Sequence, residues 1–184
     1  MIDPRFLRRL RAAIDARSVI DRPADIEPYL IDCRHLYHGR AALVLRPGSV
    51  AEVSTILALC NDAGVGVVPH GGNTGYCGRS VPDETGNQLV LSLARLNKIR
   101  AVESRSYSVT AEAGCVLARV QEAALAAERY FPLSLGADGA RHHAHTQMRI
   151  GPAGHPESRK TPGLADLSQS VEAPASPVRR DSRS

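Results

Sequence analysis

The chain has 184 residues, of which 43% are hydrophobic and 23% charged, and this balance predicts one globular domain with a sizeable core. Aromatic residues make up only 4% and Trp is absent, which argues against a base-stacking surface and against the aromatic belts of a membrane protein. The formal net charge is +4, but many of the arginines lie near the two chain ends, so we interpret them as solvated and expect no nucleic-acid partner.

The cysteines and the apolar runs indicate in which part of the cell the protein is expected. Four cysteines lie far apart without any Cys-x-x-Cys pair, a spacing typical neither of a zinc site nor of a disulfide scaffold: Cys33, Cys60, Cys77 and Cys115. No apolar run approaches the length of a membrane span, and the first residues lack the apolar core of a signal peptide. We therefore expect a cytoplasmic protein with reduced cysteines and no membrane span.

The chain divides into three regions by composition. Residues 1–40 hold a predicted N-terminal helix and a lead-in segment. Residues 41–140 alternate strand-like and helix-like stretches on short connections, which is typical of an α+β or α/β domain. Residues 141–184 contain no aromatic residue and are rich in Pro, Ser, Arg and His, which predicts a disordered tail.

The first predicted elements are a helix and a β-α-β unit. Apolar residues at helical spacing predict a helix from Pro4 to Asp15: Phe6, Leu7, Leu10 and Ile14. A strand from Ala41 to Pro47 precedes a helix that Ser49 caps, with Glu52 as the reciprocal partner. This helix ends at Gly64 and is expected to bury one face: Val50, Val53, Ile56, Leu57 and Cys60. A second strand follows from Val65 to Pro69, and we expect the two strands to run parallel.

The remaining elements lie beyond a glycine-rich loop. A strand is predicted from Gln88 to Leu93, and "KIRAVE" and "YSVTAEAG" resemble an antiparallel hairpin that turns at residues 104–106. A second helix is indicated by apolar spacing: Val116, Val120, Ala123, Ala124 and Ala127. Extended structure returns from Tyr130 to Gly136. The order of these elements is typical of an α+β or α/β domain.

The run "VVPHGGNTGYCG", residues 67–78, delivers a strand into a loop with four glycines: Gly71, Gly72, Gly75 and Gly78. Without Cβ atoms, consecutive backbone N–H groups can converge on an anion such as a phosphate or pyrophosphate. Asn73 and Thr74 add neutral donors, and His70 could contribute one more. The glycines alone are equally consistent with a tight turn that binds nothing.

Two familiar nucleotide-binding motifs are excluded by inspection. The sequence contains no G-x-x-x-x-G-K-[ST], so the loop is not a P-loop. The glycines also miss the G-x-G-x-x-G register that leads into a helix, which argues against a Rossmann site.

Several motifs in order resemble one family. The runs "LVLRPGSVAEVSTILALCNDAGVGVVPHGGNTGYCG", "LVLSLARLNKIRAVE", "VTAEAGCVLARVQEAA" and "FPLSLGADG" are similar to the first part of a PCMH-type FAD-binding domain of the vanillyl-alcohol-oxidase-like flavoproteins. The closest similarity is to the D-2-hydroxyacid dehydrogenase branch, whose members oxidise D-2-hydroxyglutarate, D-lactate or glycolate. The upstream "YLIDCRHLYHGRA" also fits, except that Cys33 stands where Trp is expected.

The resemblance implies two small α+β subdomains with FAD between them. It assigns a turn around the FAD pyrophosphate to Pro69, Gly71, Gly72, Asn73, Thr74 and Gly75, with Gly78 just beyond. It assigns a second segment along the flavin and ribityl to Pro132, Leu133, Ser134, Leu135, Gly136 and Ala137. Relatives that attach FAD covalently often carry His directly after the Gly-Gly pair, and Asn73 at this position predicts non-covalent FAD.

The resemblance implies that a Gly-Gly-Asn and Thr-Asn-Ala-Gly-Gly region, a second FAD subdomain and a substrate-binding cap follow "LGADG", and the sequence contains none of them after this point. We interpret the tail as the product of truncation or of a shifted reading frame. The base and metal ligands of this branch lie in its C-terminal part, so we assign no catalytic residue and no metal site. The cluster of His142, His143 and His145 is interpreted as incidental to the tail.

Two hypotheses on function remain. The first is an FAD-binding oxidoreductase domain in which a hydride passes from C2 of a small 2-hydroxy acid to FAD. The second is an inactive remnant or interaction module that does not hold FAD stably, because half of the cradle is absent. Flavin absorption that stays with the purified protein distinguishes the first from the second.

Overall fold

The computed structural model describes residues 2–75, 77–132, 147–149 and 151–152. The described helices are α1 (Pro4–Ala13), α2 (Pro23–Ile26), α3 (Val50–Asp62) and α4 (Leu117–Ala126), with short 3-10 turns at Ala16–Ser18 and Glu27–Tyr29. The described strands are β1 (Val19–Ile20), β2 (Ala41–Leu45), β3 (Gly66–His70), β4 (Gln88–Ser92), β5 (Ile99–Glu103), β6 (Ser108–Ala111), β7 (Arg129–Tyr130), β8 (Gln147–Arg149) and β9 (Gly151–Pro152). This arrangement confirms the predicted α+β class.

The first sheet has the strand order β1-β2-β4-β3. Both β2 and β3 pair in parallel with β4, and β1 runs antiparallel along β2. The parallel direction predicted for β2 and β3 is confirmed, but the two strands are not neighbours because β4 lies between them. Four consecutive residues of β4, Leu89 to Ser92, are buried, as expected for a strand covered on both faces.

Helices cover the two faces of this sheet. On one face, Phe6 and Leu10 of α1 and Ile56 of α3 pack in one cluster with strand residues of odd number: Leu43, Leu45, Leu89 and Leu91. On the other face, Val44 and Val90 pack against Ile26 and Leu30, in and just after α2. The N-terminal helix predicted from its apolar spacing is thus confirmed as a packing element.

The caps of α3 agree with the sequence in part. The Ser49 hydroxyl accepts a hydrogen bond from the Glu52 N–H at 3.2 Å, and Gly64 follows the helix with a φ of +63°. The Glu52 carboxylate, however, accepts from the N–H groups of Gly48 and Asp15 at 2.8 and 3.1 Å. It therefore ties α3 to the segment that follows α1, instead of bonding the Ser49 N–H as a capping box predicts.

The predicted apolar face of α3 is wrong at two positions. Ile56 and Cys60 are buried, but Val50 and Leu57 are 60% and 45% exposed. Val53 and Leu59 pack at the margin of the same core cluster. The sheet contacts only a narrow stripe of this helix, and that stripe is centred on Ile56 and Cys60, so the apolar residues on either flank of the stripe remain in solvent.

The second layer is built on the hairpin of β5 and β6, which pair antiparallel as predicted. The predicted second helix is confirmed as α4, and its Leu117, Val120 and Ala124 pack against Val109 and Ala111 of β6. Two short strands lie inside the segment predicted to be disordered: β8 pairs with β6 and β9 pairs with β7. None of the described helices has the length and apolar character needed to cross a membrane.

Candidate functional site

The glycine loop begins where β3 ends, at the carboxyl edge of the three parallel strands β2, β4 and β3. In open sheets of this kind, ligands bind in the crevice outside the carboxyl ends of the strands. The loop therefore lies where the parallel part of the fold favours a ligand.

The backbone of the loop presents donors. No hydrogen bond between described residues is donated by a main-chain N–H of residues 71–75. Asn73 has a φ of +51°, in the left-handed region that allows successive N–H groups to point toward one place. Gly71 to Thr74 are half-buried and Gly75 is exposed. The loop therefore offers several adjacent N–H donors that no described residue accepts from, at the edge of the sheet.

The side chain of Asn73 is already hydrogen-bonded to two other residues of the chain. Its Nδ2 donates to the Ile31 carbonyl at 2.7 Å, and its Oδ1 accepts from the Ser80 hydroxyl at 2.7 Å. The predicted use of this side chain as a phosphate donor is not the arrangement observed. Asn73 instead fixes the conformation of the loop, and its backbone N–H remains available.

Residues 31–38, here called the clamp segment, hold the loop at further points. The Cys33 thiol lies 3.9 Å from the Gly75 carbonyl oxygen. Gly78 has a φ of +66°, and a Cβ at Gly78 would lie 2.7 Å from Cγ of Tyr37. The aromatic ring therefore rests on a backbone that only glycine can provide there.

Asp32 organises the clamp segment from within. Its buried carboxylate accepts hydrogen bonds from the N–H groups of Leu36 and Tyr37 at 2.7 Å each, and from that of Arg34 at 3.2 Å. The bond from Tyr37, supported by those from Arg34 and Leu36, lowers the pKa of Asp32 although burial opposes the shift. The ionised carboxylate thus fixes the turn that carries Tyr37 to the loop.

His70 is a buried structural residue at the end of β3. Its side chain is 5% exposed, and its ring lies 5.0 Å from the ring of Tyr29. Nδ1 lies 3.0 Å from the Ser80 carbonyl oxygen, and because a carbonyl can only accept, Nδ1 carries the proton. The Nδ1–H of His70 therefore donates to Ser80, which follows the glycine loop in the chain.

A cavity of about 730 Å³ opens between α2 and the strand ends. It is lined by residues from the strands, the glycine loop and the chain around α2: Ile20, Ala24, Asp25, Pro28, Tyr29, Arg46, His70, Gly71, Gly72, Asn73, Ser92 and Ala94. The glycine loop forms one wall of this cavity.

Strand alternation explains which polar residues reach the cavity. Val44 and Val90 point toward α2, so two residues further along each strand Arg46 and Ser92 lie on the same face. His70 occupies the matching place at the end of β3, opposite Ser92. Three parallel strands therefore each contribute one polar residue to the same cavity.

Arg46 has a fixed main chain and an unpaired side-chain atom. Its N–H donates to the Ser18 carbonyl at 2.7 Å, and its carbonyl accepts from Nη1 of Arg95 at 2.9 Å. Arg95 Nη1 also donates to the Ser18 hydroxyl at 2.8 Å. Among the described residues, Arg46 Nε is a buried side-chain nitrogen with no hydrogen-bond partner.

A family profile described as "FAD binding domain" matches residues 41–140, more than half of the 184 residues. The chain belongs to this FAD-binding domain family. The matched range contains the glycine loop, all three parallel strands and the hairpin layer.

Curated relatives of this FAD-binding domain include proteins named as D-2-hydroxyglutarate dehydrogenases. The D-2-hydroxyglutarate dehydrogenase of Xanthomonas citri pv. viticola is 36% identical over 140 residues, which are 76% of this chain and 29% of the relative. The mitochondrial D-2-hydroxyglutarate dehydrogenase of Arabidopsis thaliana is 31% identical over 141 residues, 77% of this chain and 25% of the relative. The chain thus spans about a quarter of the length of such relatives.

Solved structures share the fold. Alkyldihydroxyacetonephosphate synthase aligns with a TM-score of 0.68 at 18% identity, covering 76% of this chain and 30% of that one. p-Cresol methylhydroxylase with bound substrate aligns with a TM-score of 0.63 at 19% identity, covering 76% and 27%. These matches and the curated relatives confirm the family resemblance inferred from the sequence motifs.

The residues of this FAD-binding domain fit a pyrophosphate. Phosphate oxygens accept hydrogen bonds. The adjacent main-chain N–H groups of the loop donate to no residue that the structure describes. Arg46 adds a permanently charged guanidinium to the lining of the same cavity. Both are donor-rich features, as an anionic group requires.

The structure brings together only some of the predicted site residues. Gly71, Gly72 and Asn73 line the cavity, with Thr74 and Gly75 directly after them. Pro69 and Gly78 instead line a separate cavity of about 740 Å³ beside Tyr37.

The second predicted segment falls largely outside the described residues. Pro132 is exposed, and residues 133–137 (Leu133, Ser134, Leu135, Gly136 and Ala137) are not described. The tail histidines, His142, His143 and His145, also lie outside the described part of the chain.

Sequence reasoning missed Arg46, Ser92 and the clamp segment. The first two carried a signal, because each is the first polar residue after a run of alternating buried strand residues, "LVLR" and "LVLS". The clamp segment carried none, since its contacts with the loop bridge about forty residues of chain.

Proposed function

We propose that this chain binds FAD through the glycine loop and forms the first part of the flavin site of a dehydrogenase acting on D-2-hydroxy acids. One observation carries the proposal: residues 71–73, whose backbone N–H groups donate to no described residue, line a cavity at the carboxyl edge of three parallel strands. The family to which the chain belongs and the names of its relatives support FAD as the ligand and a D-2-hydroxy acid as the substrate class.

Each part of the site has a separate task. The loop N–H groups bind the pyrophosphate, and the clamp segment keeps them oriented through Ile31 and Tyr37. Bound FAD supplies the hydride acceptor. The described residues supply binding and orientation, and we assign none of them to proton transfer.

A titration of the purified protein with FAD tests the proposal. Binding is expected to quench flavin fluorescence, and the flavin should migrate with the protein on gel filtration. Because Asn73 stands at the position of the covalent histidine, acid denaturation should release all flavin into the supernatant. A colourless protein that leaves flavin fluorescence unchanged would instead support the remnant hypothesis.

Loop variants make the test specific. Gly72→Val adds a branched side chain on the wall of the cavity and is expected to weaken FAD binding at least about tenfold. Ala51→Val, at an exposed position of α3 outside the loop, is the control for adding a branched side chain. Circular dichroism checks that both variants fold. Equal FAD affinity of Gly72→Val and the wild type would show that the loop does not bind FAD.

A further inference from the structure

Arg46 is the one permanently charged cation among the described residues that line the cavity beside the glycine loop. The cavity also holds the Asp25 carboxylate, at an exposed position, and the buried His70 and Ser92. The His70 Nδ1–H and the Asn73 side chain already bond the protein. Arg46 is therefore the charged donor that remains for a ligand.

The charged side chain of Arg46 lines the cavity. A guanidinium carries several N–H donors in a fixed planar fork and no acceptor. An anionic ligand in the cavity would accept charge-assisted hydrogen bonds from this group. The loop N–H groups contact the same space, so the two donor sets can bind one anion together.

We propose that Arg46 binds the pyrophosphate of the cofactor from the wall opposite α2, as the charged partner of the glycine loop. This inference rests on the proposed function, because it names a residue of the same site. It also identifies Arg95 as a positioning residue, since Arg95 binds the Arg46 carbonyl and the Ser18 hydroxyl without lining the cavity.

Neighbouring residues fix the main chain of Arg46. Ser18 and Arg95 hold its N–H and carbonyl, and Pro47 restricts its backbone to an extended conformation. Glu52 lies close to Arg95, and although burial opposes the shift, hydrogen bonds from Ser18, Gly48 and Asp15 lower the pKa of Glu52. The negative Glu52 thus interacts with Arg95, and no ion pair between described residues involves Arg46.

Calorimetry with FAD and with inorganic pyrophosphate tests the role of Arg46. Arg46→Met keeps the apolar stem and removes the charge, and it is expected to weaken both ligands by tenfold or more. Arg46→Lys restores a charge without the planar fork and should recover only part of the affinity. Arg105→Met, at an exposed hairpin position, is the control for loss of one positive charge.

The ligand pair and the salt dependence separate this role from a structural one. Wild-type binding of pyrophosphate should weaken with rising salt more steeply than binding by Arg46→Met. Asp25→Asn should strengthen pyrophosphate binding, because it removes a negative charge from the cavity. Arg95→Met should reduce affinity for both ligands less than Arg46→Met does.

Three outcomes are decisive. If FAD binds the wild type and Arg46→Met retains its affinity for FAD and pyrophosphate within twofold, the inference is wrong and the proposed function stands. If FAD does not bind but pyrophosphate binds in an Arg46-dependent way, the proposed function fails and the anion site stands. If neither ligand binds the wild type, both fail. Should Arg46→Met not fold, Arg46→Lys supplies the same comparison.

Discussion

The side-chain amide of Asn73 donates a 2.7 Å hydrogen bond to the main-chain carbonyl of Ile31, 42 residues earlier in the chain. The same side chain accepts from Ser80 at 2.7 Å, so one residue joins both flanks of the site. Asn73 also adopts a left-handed φ of +51°. Its two hydrogen bonds hold a conformation that costs most residues about 1–2 kcal/mol.

Replacement of Asn73 separates these two effects. Asn73→Gly keeps the backbone conformation accessible and loses both bonds, so we expect a loss of about 1–3 kcal/mol in the free energy of unfolding. Asn73→Ala should lose roughly 1 kcal/mol more because of its positive φ. Urea denaturation measures both, with the exposed Asn87→Ala as a control. Equal stability of the Gly and Ala variants would contradict the role of the left-handed φ.

Asp32 predicts a pH dependence of stability. Hydrogen bonds from Tyr37, Arg34 and Leu36 lower its pKa in the folded state below the ordinary value of 3.8. The stabilisation is therefore fully present above pH 3.8 and is lost as the pH falls through the lower folded-state pKa. Asp32→Asn should lower the melting temperature at pH 7, with a smaller difference from the wild type at pH 3. A difference that does not change between these pH values would refute this assignment.

The two neighbouring residues Ile56 and Leu57 test the orientation of α3. Ile56 is fully buried, so Ile56→Ala is expected to reduce the free energy of unfolding by about 2–5 kcal/mol. Leu57 is 45% exposed, and Leu57→Gln should change stability by less than about 0.5 kcal/mol. Chemical denaturation of the two variants measures both effects. Comparable losses of stability would show that Leu57 is buried with Ile56, as the apolar spacing predicted.

Two of the four thiols should react readily, and the other two should be protected from reagents. Cys33 and Cys77 are exposed beside the glycine loop, whereas Cys60 and Cys115 are buried, and burial raises the pKa of both buried thiols. An aromatic disulfide reagent at pH 8 should therefore modify Cys33 and Cys77 rapidly. Cys60 and Cys115 should react only on unfolding. Mass spectrometry of tryptic peptides identifies the modified residues, and rapid labelling of Cys60 would show that the core cluster opens.

The elements were predictable where one local signal sufficed. The apolar spacing of α1, the Ser49 cap, Gly64 after α3 and the hairpin turn all depend on neighbours within a few residues. The exposure of Leu57 was not predictable in this way. Its exposure depends on how the helix is rotated against the sheet, and that is a property of two elements together.

The α+β class, the family and the glycine loop at the end of a strand could be read from residue types and their local order. The three-dimensional packing was needed to show that β4 separates β2 from β3, that Ile31 and Tyr37 hold the loop, and that Arg46 shares its cavity. Strand order and contacts between residues far apart in the chain follow from the packing of the whole core, and no local pattern encodes them.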